Sequence, residues 1–416
     1  MVEIWVPYGK TEVPISIDVE NLKSIIKPKN TKDSIKIEKE EVIDRQTLFK
    51  DLPGFIDQSD NVSISIECMN DFKILSFILP PIIEELLGAG VMENNITIFL
   101  ATGINGKSNE TNSIKFLKSL QHNIGVLSHD CNSSNLSLVG KTSYGNDVRL
   151  NKNFVDSTFK ILIAQVRPHY SSGYSGIERV ILPGLSGLNT ALFNHKMSIE
   201  PDSRPGKING NPVYEDTKEA MELVQPNYGI NIIFDGYMNL DTVFTGRVGD
   251  VLTRSISYAD ETYKIKIDEC PDIIVVSPGG ELYDNNLYLS ADIFYNIQEI
   301  VKKGCQILWM CECSNGYGNL AFVNYMKNNK NETFVRNKPN EVFKIGLEKA
   351  LFIAEISKRA KIYLVSVIPD FYVKDYFGFK TAETANEALR SALRLVGKDF
   401  KSIVIPHGSL TIPILE

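Results

Sequence analysis

The hydrophobic pattern along the chain sorts into short apolar runs separated by turn residues and by stretches with helical spacing. Ile161–Val166 (ILIAQV) is nearly all apolar, the pattern of a strand buried on both faces. Ile96–Ala101, Ile230–Phe234, Asp272–Ser277, Gln306–Cys311, Lys361–Val365 and Ser402–Ile405 also read as strands, Val62–Ile66 as a short one, and Thr242–Thr245 as a strand beside Ile230–Phe234. Between them, apolar residues at three- and four-residue intervals predict helices over Ile74–Gly90, Asn112–His122, Val248–Tyr258, Asn286–Lys303 and Ala382–Val396, the first stopped by Gly88 and Gly90. The first 60 residues open on an alternating stretch that predicts a hairpin, followed by a polar, lysine-rich connection. Strand, loop and helix in repetition mean parallel or mixed sheets with helices on both faces.

Length places this pattern in an α/β class of two domains, since 416 residues exceed what one core of ordinary size organises. The polar stretch Ala259–Pro271 has no helical face and is the expected hinge. The expected domains are therefore residues 1–262 and 263–416, the first nearly twice the second, with mixed or parallel sheets and a cleft between them. Net charge is −7, and no basic stripe offsets it, which argues against nucleic acid as a partner. No apolar run approaches the roughly 20 residues of a membrane span. The N-terminus alternates like a strand and lacks the order of a signal peptide. Six scattered cysteines, Cys68, Cys131, Cys270, Cys305, Cys311 and Cys313, form no framework and read as reduced thiols. A cytoplasmic protein with a small-molecule substrate is the expectation.

Chemistry concentrates after the Ile161–Val166 strand, in VRPHYSSGYSGIERVILPGLSGLNTALFNH, residues 166–195. Glycine-rich loops at strand ends are where open α/β sheets hold ligands, and two imidazoles, His169 and His195, bracket this loop. Taken alone, such a cluster is more often an ordinary structural loop. The other histidines carry less: His122 follows a predicted helix, His129 lies in a polar loop and His407 in a glycine turn.

The segment resembles the signature of the lactate racemase family. Pro168-His169-Tyr170, Gly173-Tyr174-Ser175-Gly176, Leu182-Pro183-Gly184 and Asn194-His195 follow its order and spacing. Further stretches agree: Leu138–Asn151, Ser277–Gly280 with Asp284, Asn286 and Tyr288, Glu312-Cys313 with Gly316 and Gly318, and Pro406-His407-Gly408 with Thr411 and Pro413. The family uses a nickel-pincer nucleotide and interconverts stereoisomers of 2-hydroxy acids. The resemblance implies that His169 is a general base and His195 the protein's ligand to nickel. It places Ser175 and Gly176 at the cofactor and leaves Thr142 and Ser143 open between a phosphate contact and a plain hairpin turn. Tyr283, beyond the Pro278-Gly279-Gly280 turn, joins the substrate side.

Three positions depart from the family pattern. Asp71 stands where the family has the arginine that grips the substrate carboxylate, with Lys73 two residues on as a partial substitute. A carboxylate there repels another. Asn105 stands at the second catalytic histidine, and an amide does not exchange a proton near neutral pH. Arg179 stands at the lysine that carries the nucleotide covalently. A guanidinium stays protonated and does not attack a carbonyl, so Arg179 would grip phosphate or carboxylate and any nucleotide would be held noncovalently. The resemblance thus implies an isomerase of racemase or epimerase type acting on something other than lactate. It also implies dealings with the proteins that make the cofactor, if the chain is loaded. The alternative is an altered homologue that binds a small anionic ligand without the cofactor. Oligomeric state is not legible.

Overall fold

The computed structural model describes residues 1–29, 48–67, 73–104, 115, 117, 123–235, 239–328 and 344–416. The chain forms two compact units, one of residues 30–261 and one that joins residues 1–29 to 262–416.

The N-terminal 29 residues therefore belong with the C-terminal half, not with residues 30–262 as a single boundary near 262 would have it. The reason is packing. Strands β1 (Val2–Tyr8) and β2 (Thr11–Ile17) pair antiparallel. Their inward residues Ile4, Val6, Ile15 and Ile17 are buried in one cluster with Ile273, Val275, Ala388 and Leu389. The next strand, β3 (Leu22–Ile25), pairs with residues 402–404. A hairpin alone cannot bury one face, so it uses a sheet made some 250 residues later.

The unit of residues 30–261 is built on strands β4 (Val62–Glu67), β5 (Ile96–Ala101), β6 (Gly125–Ser128), β9 (Phe159–Val166), β10 (Tyr228–Phe234) and β11 (Leu240–Gly246). The hairpin β7 (Leu136–Lys141) and β8 (Asp147–Asn151) lies outside this sheet. The spatial order is β11-β10-β9-β4-β5-β6, parallel throughout except for β11. Alternate residues of β9 go to opposite faces. Ile161 and Ile163 pack in one core with helix α1 (Lys73–Gly88), whereas Leu162 and Ala164 pack in another with Ile177, Val180 and Ile181. That double burial is why the strand reads as a continuous apolar run. Helices α2 (Leu188–Lys196) and α3 (Pro212–Glu222) belong to this unit, and α4 (Val248–Tyr263) begins in it. The helix expected over Asn112–His122 lies outside the described residues, except that Lys115 and Leu117 are helical.

The division between the two units falls within the expected hinge Ala259–Pro271, and that stretch is regular structure as far as Ile267. Helix α4 runs on to Tyr263, because Ala259 and Tyr263, four residues apart, are both buried. It leads into β12 (Lys264–Ile267), which pairs with residues 412–415. The second unit's sheet contains β13 (Ile273–Val276), β14 (Cys305–Met310), β15 (Ala360–Val365), β16 (Lys380–Thr381) and β17 (Ser402–Ile405), in the all-parallel order β16-β15-β14-β13-β17-β3. The helix expected over Asn286–Lys303 is broken into short pieces at Leu287–Ser290, Ile293–Ile297 and Gln298–Ile300. Helix α5 (Leu347–Arg359) precedes β15. Helix α6 (Ala385–Val396) begins three residues later than its apolar spacing suggests, because Thr384 caps it by accepting from the Glu387 amide at 3.2 Å while the Glu387 carboxylate accepts from the Glu383 amide at 2.8 Å.

Candidate functional site

His169, Ser175, Gly176 and Arg179 follow the carboxyl end of β9. Beyond Val166 the chain folds back on itself, pairing Pro168 with Tyr174 and His169 with Gly173. Gly173 has φ +78, and a Cβ there would lie 2.2 Å from the Lys207 carbonyl oxygen. Only glycine fits. The fold-back is tied at its mouth, where the Ser175 amide donates to the Arg167 carbonyl at 2.9 Å. The Ser175 hydroxyl donates to the Gln165 carbonyl at 2.8 Å and accepts from the Arg167 amide at 3.2 Å. At its far side, the Asn211 side chain donates to the Ser171 carbonyl at 2.9 Å.

His169 is half-buried inside this turn. Its Nδ1 accepts from the backbone amides of Ser171 at 3.3 Å and Ser172 at 3.2 Å. Ser172 connects the ring to Arg179, whose Nη1 donates to the Ser172 hydroxyl at 3.5 Å, while that hydroxyl donates to the Tyr174 carbonyl at 2.8 Å. Two expected residues, His169 and Arg179, are thus brought together through a third that sequence reasoning passed over.

Arg179 lies in a dense set of charges. Burial lowers its pKa, opposed by Tyr170, Glu67 and Glu178, with Arg167 adding to the depression. The preceding residue, Glu178, is 2 % exposed, and its Oε2 makes no hydrogen bond among the described residues. Burial raises its pKa from 4.5 to about 7; its own backbone amide and Arg179 pull it down, and Glu67 pushes it up. Both members of the pair move toward neutrality, so desolvation outweighs their mutual attraction. Glu67, at the end of β4, accepts from the Gln165 amide at 3.1 Å. Glu178 and Glu67 were missed in the sequence. The one available signal was an acidic residue inside the apolar stretch IERVIL.

Gly176 packs directly on Glu178: a Cβ there would lie 2.7 Å from Glu178 Oε2. Gly184 is equally confined, with the Ala101 methyl 2.8 Å from where its Cβ would be. The Gly103 amide donates to the Gly184 carbonyl at 3.0 Å, which joins the loop after β5 to the Leu182-Pro183-Gly184 segment. That loop leads to Asn105, which lies outside the described residues, as does Asp71. Lys73 is described only as the first residue of α1.

His195 is 8 % exposed, in the last turn of α2. The helix is held by its neighbour Asn194, whose side-chain amide reaches the Val213 carbonyl (3.0 Å), Asp216 Oδ2 (2.9 Å) and the Thr217 hydroxyl (3.2 Å). Asp216 is fully buried on α3 and accepts from Thr142 (2.6 Å) and Asn146 (2.9 Å) as well. Ser143 donates to Glu219 through both its amide and its hydroxyl, at 2.6 Å each. Thr142 and Ser143 therefore hold the β7–β8 turn against α3. Tyr283 belongs to the other unit, where it flanks Gly279 opposite His407. Among the described residues, no three His, Cys, Asp or Glu side chains converge as a protein-only metal site. No helix among them is long and apolar enough to cross a membrane.

Comparison with known proteins adds the family. The lactate racemase N-terminal domain matches residues 8–206, and the lactate racemase C-terminal domain matches residues 266–412. A lactate racemase of Thermoanaerobacterium thermosaccharolyticum is 26% identical over 98% of this chain and 98% of its own length. That of Lactiplantibacillus plantarum is 23% identical over 98% of this chain and 99% of its own. Among solved structures, the lactate racemase apoprotein of T. thermosaccharolyticum superposes with a TM-score of 0.83 at 24% identity, covering 99% of this chain and 100% of that one. A Thermotoga maritima protein superposes at 0.68 and 15% identity, over 92% of this chain and 99% of its own. The two domain matches span most of the sequence in the family's order, and the α/β architecture agrees, so this chain belongs to the lactate racemase family.

Proposed function

We propose that this protein is a racemase-like isomerase that uses the nickel-pincer nucleotide, holds it without a covalent bond, and acts at a hydroxyl-bearing carbon of a substrate other than lactate. The observation that carries the reading is the Arg179–Ser172–His169 connection. It puts a permanently charged guanidinium and an imidazole on one short fold-back, the pair needed to hold an anionic group and to handle a proton beside it.

The residues fit such a cofactor on chemical grounds. A bare ion wants three or four protein ligands, whereas a single imidazole such as His195 suits a metal that brings other donors with it. When bound, the cofactor would supply a hydride acceptor. Arg179 would grip its phosphate or carboxylate by paired hydrogen bonds, and the Asn194–Asp216 network would keep the His195 ring on station. His169 would face the substrate oxygen. With a carboxylate at 71 and an amide at 105, the grip on a lactate carboxylate and the second proton-transfer group of the family pattern are both replaced.

The test is mass spectrometry of protein co-produced with the enzymes that make the nucleotide. Native conditions should show one nickel-containing nucleotide per chain, and denaturing conditions the bare chain. An adduct that survives denaturation, or a native mass without nickel, would refute the proposal.

A further inference from the structure

His129 is 3 % exposed and stands where three segments of its unit meet. Its backbone amide donates to the Leu100 carbonyl at 3.0 Å, and its carbonyl accepts from the Thr102 hydroxyl at 2.6 Å. The ring reaches the other way. Its Nε2 lies 2.8 Å from the Ser186 carbonyl, and its Nδ1 lies 3.4 Å from the Asn151 side-chain nitrogen. One residue thus ties the loop after β5 to the turn beyond Leu182-Pro183-Gly184 and to the end of β8. The first two of these segments meet again where the Gly103 amide donates to the Gly184 carbonyl.

These partners fix the proton on the ring. A carbonyl only accepts, so Nε2 carries hydrogen. The Asn151 side chain is not free to turn over, since its Oδ1 accepts from the amides of Asn153 at 3.1 Å and Phe154 at 3.3 Å. Its amino group therefore faces Nδ1, which presents a lone pair. A proton on Nδ1 would set donor against donor. Burial also disfavours the charged ring and lowers its pKa, against the opposing pull of the Ser186 bond and of the neighbouring Asp130 carboxylate. The groups that meet the ring from the other segments, Ser186 and Asn151, carry no charge to offset that burial.

We propose that His129 is an acid-sensitive positioning residue: neutral, it ties the loop after β5 to the turn at Ser186 and to β8, and on gaining a proton at Nδ1 it lets them go. The proposal rests on the functional reading above for what the tie serves, since the loop after β5 leads to position 105, where the family pattern has its second proton-transfer group. The tie itself stands on the contacts of His129 alone. Once released, the ring titrates as an ordinary imidazole, near 6.5. Below that pH the released form takes up a proton that the tied form refuses, so the tie weakens by up to about tenfold per pH unit. Glu178 acts with the opposite sign in the same range. The comparison that isolates His129 is therefore between the parent and a variant changed at that residue only.

The test needs no cofactor, substrate or turnover. Hydrogen exchange of the Gly103 amide, corrected for the intrinsic rate at each pH, reports on the tied segments. In His129→Gln the side-chain amide can still donate to the Ser186 carbonyl but takes up no proton in this range. The ratio of Gly103 protection in the parent to that in His129→Gln should be near one at pH 7.5 and fall about tenfold by pH 5.5. His129→Ala offers no donor and should lose protection at both pH values, so that glutamine rescues what alanine removes. A ratio that does not change with pH would overturn the acid release. Equal protection in the glutamine and alanine variants at pH 7.5 would overturn positioning by the ring. If His129→Gln does not fold, ring-15N spectra of the parent decide. At pH 6 His129 should show a bare Nδ1 and a protonated Nε2, and an imidazolium or an Nδ1–H pattern would overturn the proposal. A bare chain in the native mass experiment would defeat the cofactor reading and leave this measurement standing.

Discussion

Replacing Glu178 by glutamine isolates the effect of a carboxyl group buried beside the functional turn. From the ordinary 4.5 to about 7 is a roughly 300-fold rise in proton affinity, or about 3 kcal/mol. The sign follows from proton counting. Between pH 4.5 and 7 the folded chain keeps the Glu178 proton and the unfolded chain has lost it, so the folded state binds more protons. Stability therefore falls as pH rises across that window and levels off above it. Glutamine has the shape of the protonated acid and never ionises. The parent and Glu178→Gln should be equally stable within about 1 kcal/mol at pH 5, and the variant should be more stable by about 2–3 kcal/mol at pH 8. Tryptophan fluorescence is the wrong probe, since Trp5 and Trp309 both belong to the other unit. Amide hydrogen exchange of β9 strand residues such as Ile163 reports on the unit that contains Glu178. A stability difference that is the same at both pH values would refute the reasoning, because it would mean that the carboxyl ionises alike in the folded and unfolded chain.

Other consequences can be checked separately. Arg179→Lys restores an amine at the position where the family attaches its nucleotide, and co-produced protein should then carry an adduct through denaturation, unlike the parent. Asp216→Ala strips a fully buried acceptor from Thr142, Asn146 and Asn194, so the unit should lose about 3–5 kcal/mol in the same exchange measurement. Gly184→Ala forces a methyl to 2.8 Å from that of Ala101, and a loss of about 1–3 kcal/mol is expected. Cofactor-loaded protein incubated with either lactate isomer should show racemisation far below enzymatic rates by chiral chromatography, since losing one proton-transfer group costs roughly 10²–10⁴-fold.

The strands were legible in the sequence because their signal is local. Double-sided burial writes a continuous apolar run, so Ile96–Ala101 and Ser402–Ile405 have the same bounds in pattern and structure. The turn chemistry of residues 168–176 was legible for the same reason, since glycine and proline act on their own backbone. Family membership too was visible in the spacing of those signatures. What depends on residues far apart was not visible. That β3 belongs to the last sheet is decided by pairing with Ser402, Ile403 and Val404, about 380 positions away. The continuation of α4 through a polar stretch is decided by what Ala259 and Tyr263 pack against. The raised titration of Glu178 is set by how deeply the fold buries it. In the unfolded chain water solvates the carboxyl and keeps it at its ordinary value, so the shift appears only when tertiary structure removes that water.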